Sequence, residues 1–192
     1  MPNYVIAPGV ARAVEDFKLP DSLGFGLVLA PVMYSLEYAA GQWNQGQLLP
    51  YGPIEIAPGA RALHYGEFVF EGMKAYRAGT AWPNFFRPLE NCQRLARSAE
   101  RLAMPAVPEE LFLEGIDSVA GALSSCIPTG GGKSLYLRPF LYGKEPGYLL
   151  RNSTEFRFMV IANPVEAYAS GPMSVAIERR DVRAAVGGVG VA

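Results

Sequence analysis

Residues 63–77 constrain the possible folds more than any other part of the chain, because they combine strand-like alternation with two glycines that a strand tolerates poorly. In an extended backbone, alternation would put side chains on two opposite faces, one carrying Phe68 and Phe70 and the other Val69 and Met73. Gly66 and Gly72 indicate a bend, or a close approach by a ligand or by another part of the backbone. The pattern predicts a bulged strand in the core of a sheet, with a ligand-lining segment as the alternative.

Composition favours a globular protein and gives no reason to expect nucleic acid or a membrane surface as the main partner. Of the 192 residues, 50% are hydrophobic, which is enough for a substantial core, while the net charge is only −1. Near the N-terminus, Glu15 and Asp16 interrupt the apolar residues, so neither a signal peptide nor a membrane span is predicted there. We therefore expect a cytoplasmic protein.

Cysteine and histidine usage argues against a metal centre and against a hydrolytic triad. Cys92 and Cys126 lack the Cys-x-x-Cys spacing of metal sites and are expected to be buried free thiols. His64 is the only histidine, and it lies far in sequence from any convincing serine or cysteine nucleophile motif. The chemistry of this chain must therefore depend on other residue types.

Residues 129–134 contain three consecutive glycines followed by lysine and serine, which superficially resembles a phosphate-binding P-loop. A P-loop would need a glycine at Ile127, and it would follow a strand and open a helix. This run follows a predicted helix and opens a predicted strand, so we do not expect it to bind a nucleotide.

Alternating and apolar runs predict strands around two helices. The predicted strands cover residues 25–30, 33–38, 84–87, 135–142 and 156–162, with a turn at 40–42. Pro88 suits a first helical position, and the apolar positions of the first helix are Cys92, Leu95, Ala99 and Leu102. The second helix follows Pro108, ends near Pro128 and has an apolar stripe of Phe112, Ile116, Val119 and Leu123. Together these elements predict an α+β fold.

The side of the first helix opposite its apolar stripe carries Arg94, Arg97 and Arg101. Taken alone, this pattern is typical of a solvated basic face, on which Glu90 would support Arg94 at i, i+4. The pattern by itself therefore favours a structural role for these arginines.

The strand predicted at 135–142 places an arginine among aromatic side chains. Its alternating face carries Tyr136, Arg138, Phe140 and Tyr142. The planar guanidinium of Arg138 would suit a carboxylate, which makes this residue a candidate substrate anchor. The alternative is an arginine on an edge strand, paired with a neighbouring acid.

The order of the predicted elements indicates one domain followed by the start of another. We expect a small N-terminal domain over residues 1–164, an interdomain linker over 165–172 and the beginning of a larger domain over 173–192. Residues 173–178 are predicted to form its first strand.

Taken in order, these segments resemble the branched-chain amino acid aminotransferases, pyridoxal phosphate enzymes of fold type IV. The resemblance runs through most of the chain, and no single marker would be specific without the others. The markers lie at 51–53, 63–66, 70–76 (Phe-Glu-Gly-Met-Lys-Ala-Tyr), 86–88 with Asn91, Arg94 and Ser98, 134–139 (Ser-Leu-Tyr-Leu-Arg-Pro), Val165, 167–168, 182–184 and 187–190.

The resemblance implies roles for particular residues. Arg94 matches the arginine that binds the phosphate of pyridoxal 5'-phosphate, which replaces the structural interpretation of its helix face. The residues that match the lining of the substrate pocket are Tyr65, Phe70, Tyr136, Arg138 and Tyr168. The implied reaction is transamination between an L-amino acid and a 2-oxo acid such as 2-oxoglutarate, catalysed by a homodimer whose pocket is completed across the interface.

The same resemblance places the Schiff-base lysine immediately after Ala192, so we expect the native protein to continue beyond the printed sequence. Two departures from the family affect the choice of amino acid: Glu166 stands where glycine is usual, and the loop 147–151 is bulkier. The substrate is therefore expected to be a branched-chain or a related hydrophobic or aromatic amino acid. A fold-type IV lyase, a D-amino acid transferase and an inactive domain remain as alternatives.

Overall fold

The computed structural model describes residues 3–77, 79, 82–167 and 171–180. Within this part of the chain, nine strands form one sheet. Their bounds are β1 Val5–Ile6, β2 Val32–Ala39, β3 Gln42–Trp43, β4 Gln47–Pro50, β5 Phe68–Phe70, β6 Met73–Tyr76, β7 Asn84–Phe85, β8 Ser134–Gly143 and β9 Phe156–Val165. The helices are α1 Val10–Asp16, α2 Arg61–Tyr65, α3 Pro88–Arg101 and α4 Glu109–Ala122, followed by a 3-10 turn at Ser124–Cys126.

The sheet is built around the long antiparallel pair β8 and β9. Its order is β1-β4-β2-β9-β8-β6-β7, with β3 paired to β2 and β5 paired to β8. The β8–β9 register runs from Ser134 opposite Val165 to Gly143 opposite Phe156. Only β1 and β4 pair in parallel among the described strands.

One face of the sheet is covered by α3 and α4. Alternation along β8 sends Leu135, Leu137 and Leu141 to this side. They join the predicted stripe of α4, whose members Phe112, Ile116, Val119 and Leu123 are completely buried. Each such side chain stabilises the fold by about 1.5–3 kcal/mol. The predicted stripe of α3 is buried as far as Ala99, whereas Leu102 follows the last helical turn and is 37% exposed.

The opposite face of the sheet, which we call the open face, is only partly covered. A small core of Met33, Tyr142 and Met159 lies on it. Towards the beginning of β8, Tyr136, Arg138 and Phe140 are each half-buried on the same side. The candidate substrate residues of this strand therefore lie on the face away from the helices.

The segment 63–77 is not the single bulged strand that its pattern predicted. Its first residues belong to α2, which ends where Gly66 adopts a left-handed conformation (φ 64°). The chain then forms β5 and β6, with a break at 71–72. The predicted two faces are confirmed, since Val69 and Met73 are buried in the helix-side core.

The strand predicted at 25–30 is wrong, because residues 24–26 form a turn. Gly24 and Gly26 have φ values of 60° and 75°, which are incompatible with an extended strand. The strand predicted at 33–38 is confirmed as β2, and that at 84–87 as the shorter β7. The glycine run at 129–134 follows the 3-10 turn and leads into β8, in the order that excluded a P-loop.

The strand predicted at 173–178 is also wrong. These residues are exposed, and within the described ranges they pair with no strand. The motifs at 182–184 and 187–190 lie outside the described residues, and the domain boundaries stay a prediction. Among the described helices, none has the length and hydropathy to span a bilayer.

Candidate active site

Three of the predicted pocket residues, Phe70, Tyr136 and Arg138, lie together on the open face. The guanidinium carbon of Arg138 lies 4.4 Å from the ring centre of Phe70 and 5.4 Å from that of Tyr136. The Nε and Nη2 atoms of Arg138 donate to the Tyr136 hydroxyl oxygen at 3.2 and 2.9 Å. The edge-strand alternative is wrong, because β8 lies between β9 on one side and β5 and β6 on the other. Aromatic side chains hold this arginine in position.

Tyr136 is itself held from two further sides. A Cβ atom at Gly72 would lie 3.0 Å from the Cζ atom of Tyr136 and still closer to its hydroxyl oxygen. The close approach indicated by Gly72 is therefore made by a side chain, which only a glycine permits here. The ring of Phe25 packs edge-on against Tyr136 with centroids 5.4 Å apart. The sequence did not indicate Phe25, because it was assigned to a predicted strand that does not form.

An aromatic surface continues from Phe70 along the open face. The Phe68 ring lies 6.0 Å from that of Phe70 and 5.7 Å from that of Phe140, between centroids. Phe140 in turn stacks on Tyr142 at 6.0 Å. The charged end of Arg138 thus borders an apolar surface, which suits a molecule with a carboxylate and a hydrophobic side chain.

Arg94 projects from α3 towards the chain between β5 and β6. Its Nε and Nη2 atoms donate to the two carboxylate oxygens of Glu71, each at 2.9 Å. Asn91 donates to the same carboxylate at 2.8 Å. These hydrogen bonds to Glu71 raise the pKa of Arg94. Glu90 forms its ion pair with Arg87 instead, and it supports Arg94 only through its nearby charge, which also raises the pKa of Arg94.

The Glu71-Gly72 dipeptide contacts the surroundings of both Arg94 and Arg138. Glu71 is buried on the helix side, where it binds Arg94, while Gly72 lies against Tyr136 on the open face. Gly72 and Arg94 also line a common cleft of about 390 Å³ with Lys74. The Arg94 side chain is 50% exposed and uses two of its five N–H groups for Glu71. It therefore keeps donors that suit a phosphate.

Tyr65 is not brought together with the other predicted pocket residues. It ends α2, is 47% exposed, and donates its hydroxyl hydrogen to the backbone oxygen of Tyr148 at 2.8 Å. Its hydroxyl thus contacts the loop 147–151, and its ring lies 6.4 Å from that of His64, between centroids; neither contact involves Arg138. Tyr168 lies outside the described residues.

A charged network occupies the other end of the open face. The Glu37 carboxylate accepts hydrogen bonds from Lys144 at 2.8 Å and from the Arg157 Nε atom at 3.1 Å. Burial alone would raise the pKa of Glu37, but these two cations outweigh it and lower that pKa. Among the described residues, no group of three His, Cys, Asp or Glu side chains could hold a metal ion.

Comparison with known proteins places this geometry in a family. No protein-family model matches the chain. It is 44% identical over 174 residues to a branched-chain-amino-acid aminotransferase of Mycolicibacterium smegmatis, covering 88% of this chain and 47% of the relative. It is 38% identical over 178 residues to branched-chain-amino-acid transaminase 1 of Bacillus subtilis, covering 90% of this chain and 50% of the relative.

The fold comparison agrees with the sequence comparison. A crystal structure of a branched-chain aminotransferase from Thermoproteus uzoniensis with norvaline matches with a TM-score of 0.50 and 25% identity, over 70% of this chain and 42% of that one. The chain spans about half the length of the curated relatives it matches. By sequence and by fold, it belongs to the branched-chain aminotransferase family of fold type IV.

Proposed function

We propose that the whole protein transfers an amino group between a hydrophobic L-amino acid and a 2-oxo acid such as 2-oxoglutarate. The observation that carries the proposal is the half-buried Arg138, stacked on Phe70 and hydrogen-bonded to Tyr136 on an otherwise aromatic surface. Amino acids and 2-oxo acids share a carboxylate, which a guanidinium binds well in a partly desolvated setting.

The remaining donors of Arg138 support this assignment. Two of its N–H groups go to the Tyr136 hydroxyl, and three are left to bind a carboxylate. Phe68, Phe70 and Phe140 offer apolar contacts for the side chain of the amino acid and keep water away from the arginine. Arg138 would thus orient the substrate, while the aromatic surface favours a hydrophobic side chain over a polar one.

The cofactor of this reaction would be pyridoxal 5'-phosphate, and the described residues fit its phosphate. Arg94 combines a half-exposed guanidinium with a buried carboxylate, Glu71, that fixes its orientation. In the proposed site, Arg94 would bind the phosphate through the donors that Glu71 does not use. When bound, this cofactor supplies an electron sink for bond cleavage next to the amino group.

We further propose that the protein is a cytoplasmic homodimer. Tyr65 supports this, because it lies apart from Arg138 within its own chain yet matches a pocket residue of the family. Tyr65 and the loop 147–151 would then complete the pocket of a second copy. Tyr148, Leu149 and Leu150 are 69–85% exposed, which suits residues that become covered by a partner.

A donor screen tests the proposal. The full-length protein, with cofactor, would be incubated with 2-oxoglutarate and one of L-leucine, L-valine, L-phenylalanine, L-tryptophan or D-alanine, and glutamate would be quantified. We expect L-glutamate from hydrophobic L-amino acids. Glutamate formed only from D-alanine, or formed from none of the five donors, would contradict the proposal.

A further inference from the structure

Residues 22–30, which we call the strap, cross the end of the open face next to Tyr136. Three contacts attach the strap to the end of β9 and to the residue that follows it. The Ala30 amide donates to the Ala162 oxygen at 2.9 Å, and the Asn163 side chain donates to the Val28 oxygen at 2.9 Å. The third contact joins Gly24 to Glu166, at the opposite end of the strap.

Glu166 holds Gly24 through both its backbone and its side chain. Its amide donates to the Gly24 oxygen at 3.2 Å, and its carboxylate accepts from the Gly24 amide at 3.0 Å. A glycine at position 166, which the family resemblance gives as usual, could form the first of these bonds but not the second. The side chain at 166 therefore adds a charge-assisted hydrogen bond to the strap.

The bond from Glu166 lies directly before the residue that touches Tyr136. Gly24 and Gly26 both have positive φ, and the turn that they form presents Phe25 to the Tyr136 ring. Leu23 is buried and anchors the preceding residue. The order of contacts is thus Glu166 to Gly24, Phe25 to Tyr136, and Tyr136 to Arg138.

We propose that Glu166 is a positioning residue, which acts on substrate binding by fixing the Phe25 turn against Tyr136. This inference rests on the proposed function, since it assigns Tyr136 and Arg138 to the substrate site. Loss of the carboxylate leaves the contacts of Val28 and Ala30 and the backbone bond from residue 166 to Gly24 intact, so the loss of order should be confined to the turn at 24–26. Tyr136 and Arg138 are then less ordered when the substrate binds.

Three variants of the full-length holoenzyme test the proposal. Glu166→Ala removes the acceptor, Glu166→Gln keeps an acceptor oxygen, and Glu100→Ala removes an exposed carboxylate of α3 as a control. In the reaction of L-leucine with 2-oxoglutarate, Glu166→Ala should raise the KM for L-leucine about 3- to 10-fold, which is the range expected for the loss of one hydrogen bond. The kcat should stay within about 2-fold of wild type. The KM of Glu166→Gln should be close to that of wild type, and Glu100→Ala should leave both KM and kcat unchanged.

Hydrogen exchange of the strap gives a readout that does not depend on activity. The Gly24 amide should exchange faster in Glu166→Ala than in wild type, whereas Glu166→Gln and Glu100→Ala should retain the wild-type rate. If no donor supports turnover but the exchange pattern holds, the proposed function fails while the link between Glu166 and the strap stands. Unchanged exchange, a KM unaffected by Glu166→Ala, or equal effects of the Ala and Gln variants would overturn the inference.

Discussion

Gly72 lies so close to Tyr136 that a side chain at position 72 would displace the tyrosine. A Cβ atom there would lie 3.0 Å from the Tyr136 Cζ and 3.1 Å from its Cε2, tighter than normal carbon contacts. Because the Tyr136 hydroxyl accepts two hydrogen bonds from Arg138, the space left by Gly72 also determines where Arg138 points.

The variant Gly72→Ala tests this relationship. We expect the added methyl group to shift Tyr136, to destabilise the protein by about 1–3 kcal/mol and to raise KM for 2-oxoglutarate at least about 10-fold. Gly131→Ala is the matched control, because a Cβ at Gly131 meets no atom within 4 Å. Steady-state kinetics and urea unfolding measure both effects, and a Gly72→Ala protein with wild-type KM would show that Tyr136 can relocate without consequence.

The ion pair of Glu71 and Arg94 should contribute more than a surface pair. The guanidinium of Arg94 binds the buried Glu71 carboxylate in a bidentate manner. A double-mutant cycle of Glu71→Gln and Arg94→Gln should therefore give a coupling energy of about 1–2 kcal/mol. The exposed pair Arg12 and Asp16 provides the comparison, with an expected coupling below about 0.5 kcal/mol. Urea unfolding of the single and double variants measures both, and equal couplings would contradict the assigned role of Glu71.

Part of the stability that the protein loses on acidification should come from Glu37. Its folded-state pKa lies below the ordinary value of 4.5, so its ionised form stabilises the fold above that pH, and this contribution is lost as pH falls through the folded-state pKa. Glu37→Gln should therefore be less stable than wild type at pH 7, and the difference should disappear as pH falls through the folded-state pKa of Glu37. Chemical denaturation between pH 7 and pH 3 measures the difference, which would stay constant with pH if Glu37 were unimportant.

A shared pocket predicts complementation between two defective subunits. Arg138→Ala and Tyr65→Ala would each be strongly impaired alone. In a mixed dimer, one site would contain both substitutions and the other neither, so an equal mixture with full exchange should regain about a quarter of wild-type activity. If Tyr65 and Arg138 served the same subunit's site, mixing would regain no activity.

Local patterns predicted the helix side of the sheet well, because apolar alternation and 3.6-residue spacing report burial directly. The complete burial of Phe112 and Ile116 in α4, and of Leu137 in β8, follows from such patterns. The face of β8 that carries Arg138 was likewise predictable, because alternation fixes which residues share a side.

Contacts between distant parts of the chain could not be predicted in this way. The i, i+4 spacing on α3 predicted Glu90 as the ion-pair partner of Arg94. The carboxylate that Arg94 binds is instead that of Glu71, which lies 23 residues away in the sequence. The turn at Phe25 depends in part on Glu166, which is separated from Gly24 by 142 residues. The apolar residues at 25–30 therefore predicted a strand, although the two glycines with positive φ make a turn.

The most direct test of the account is the kinetic effect of Arg138→Lys in the full-length holoenzyme. Lysine keeps the positive charge but loses the planar fork that stacks on Phe70 and contacts Tyr136. With L-leucine and 2-oxoglutarate, we expect kcat/KM for 2-oxoglutarate to fall at least about 10-fold, with unfolding stability within about 1 kcal/mol of wild type. An Arg138→Lys enzyme with wild-type kcat/KM would contradict the assignment of the open face as the substrate site.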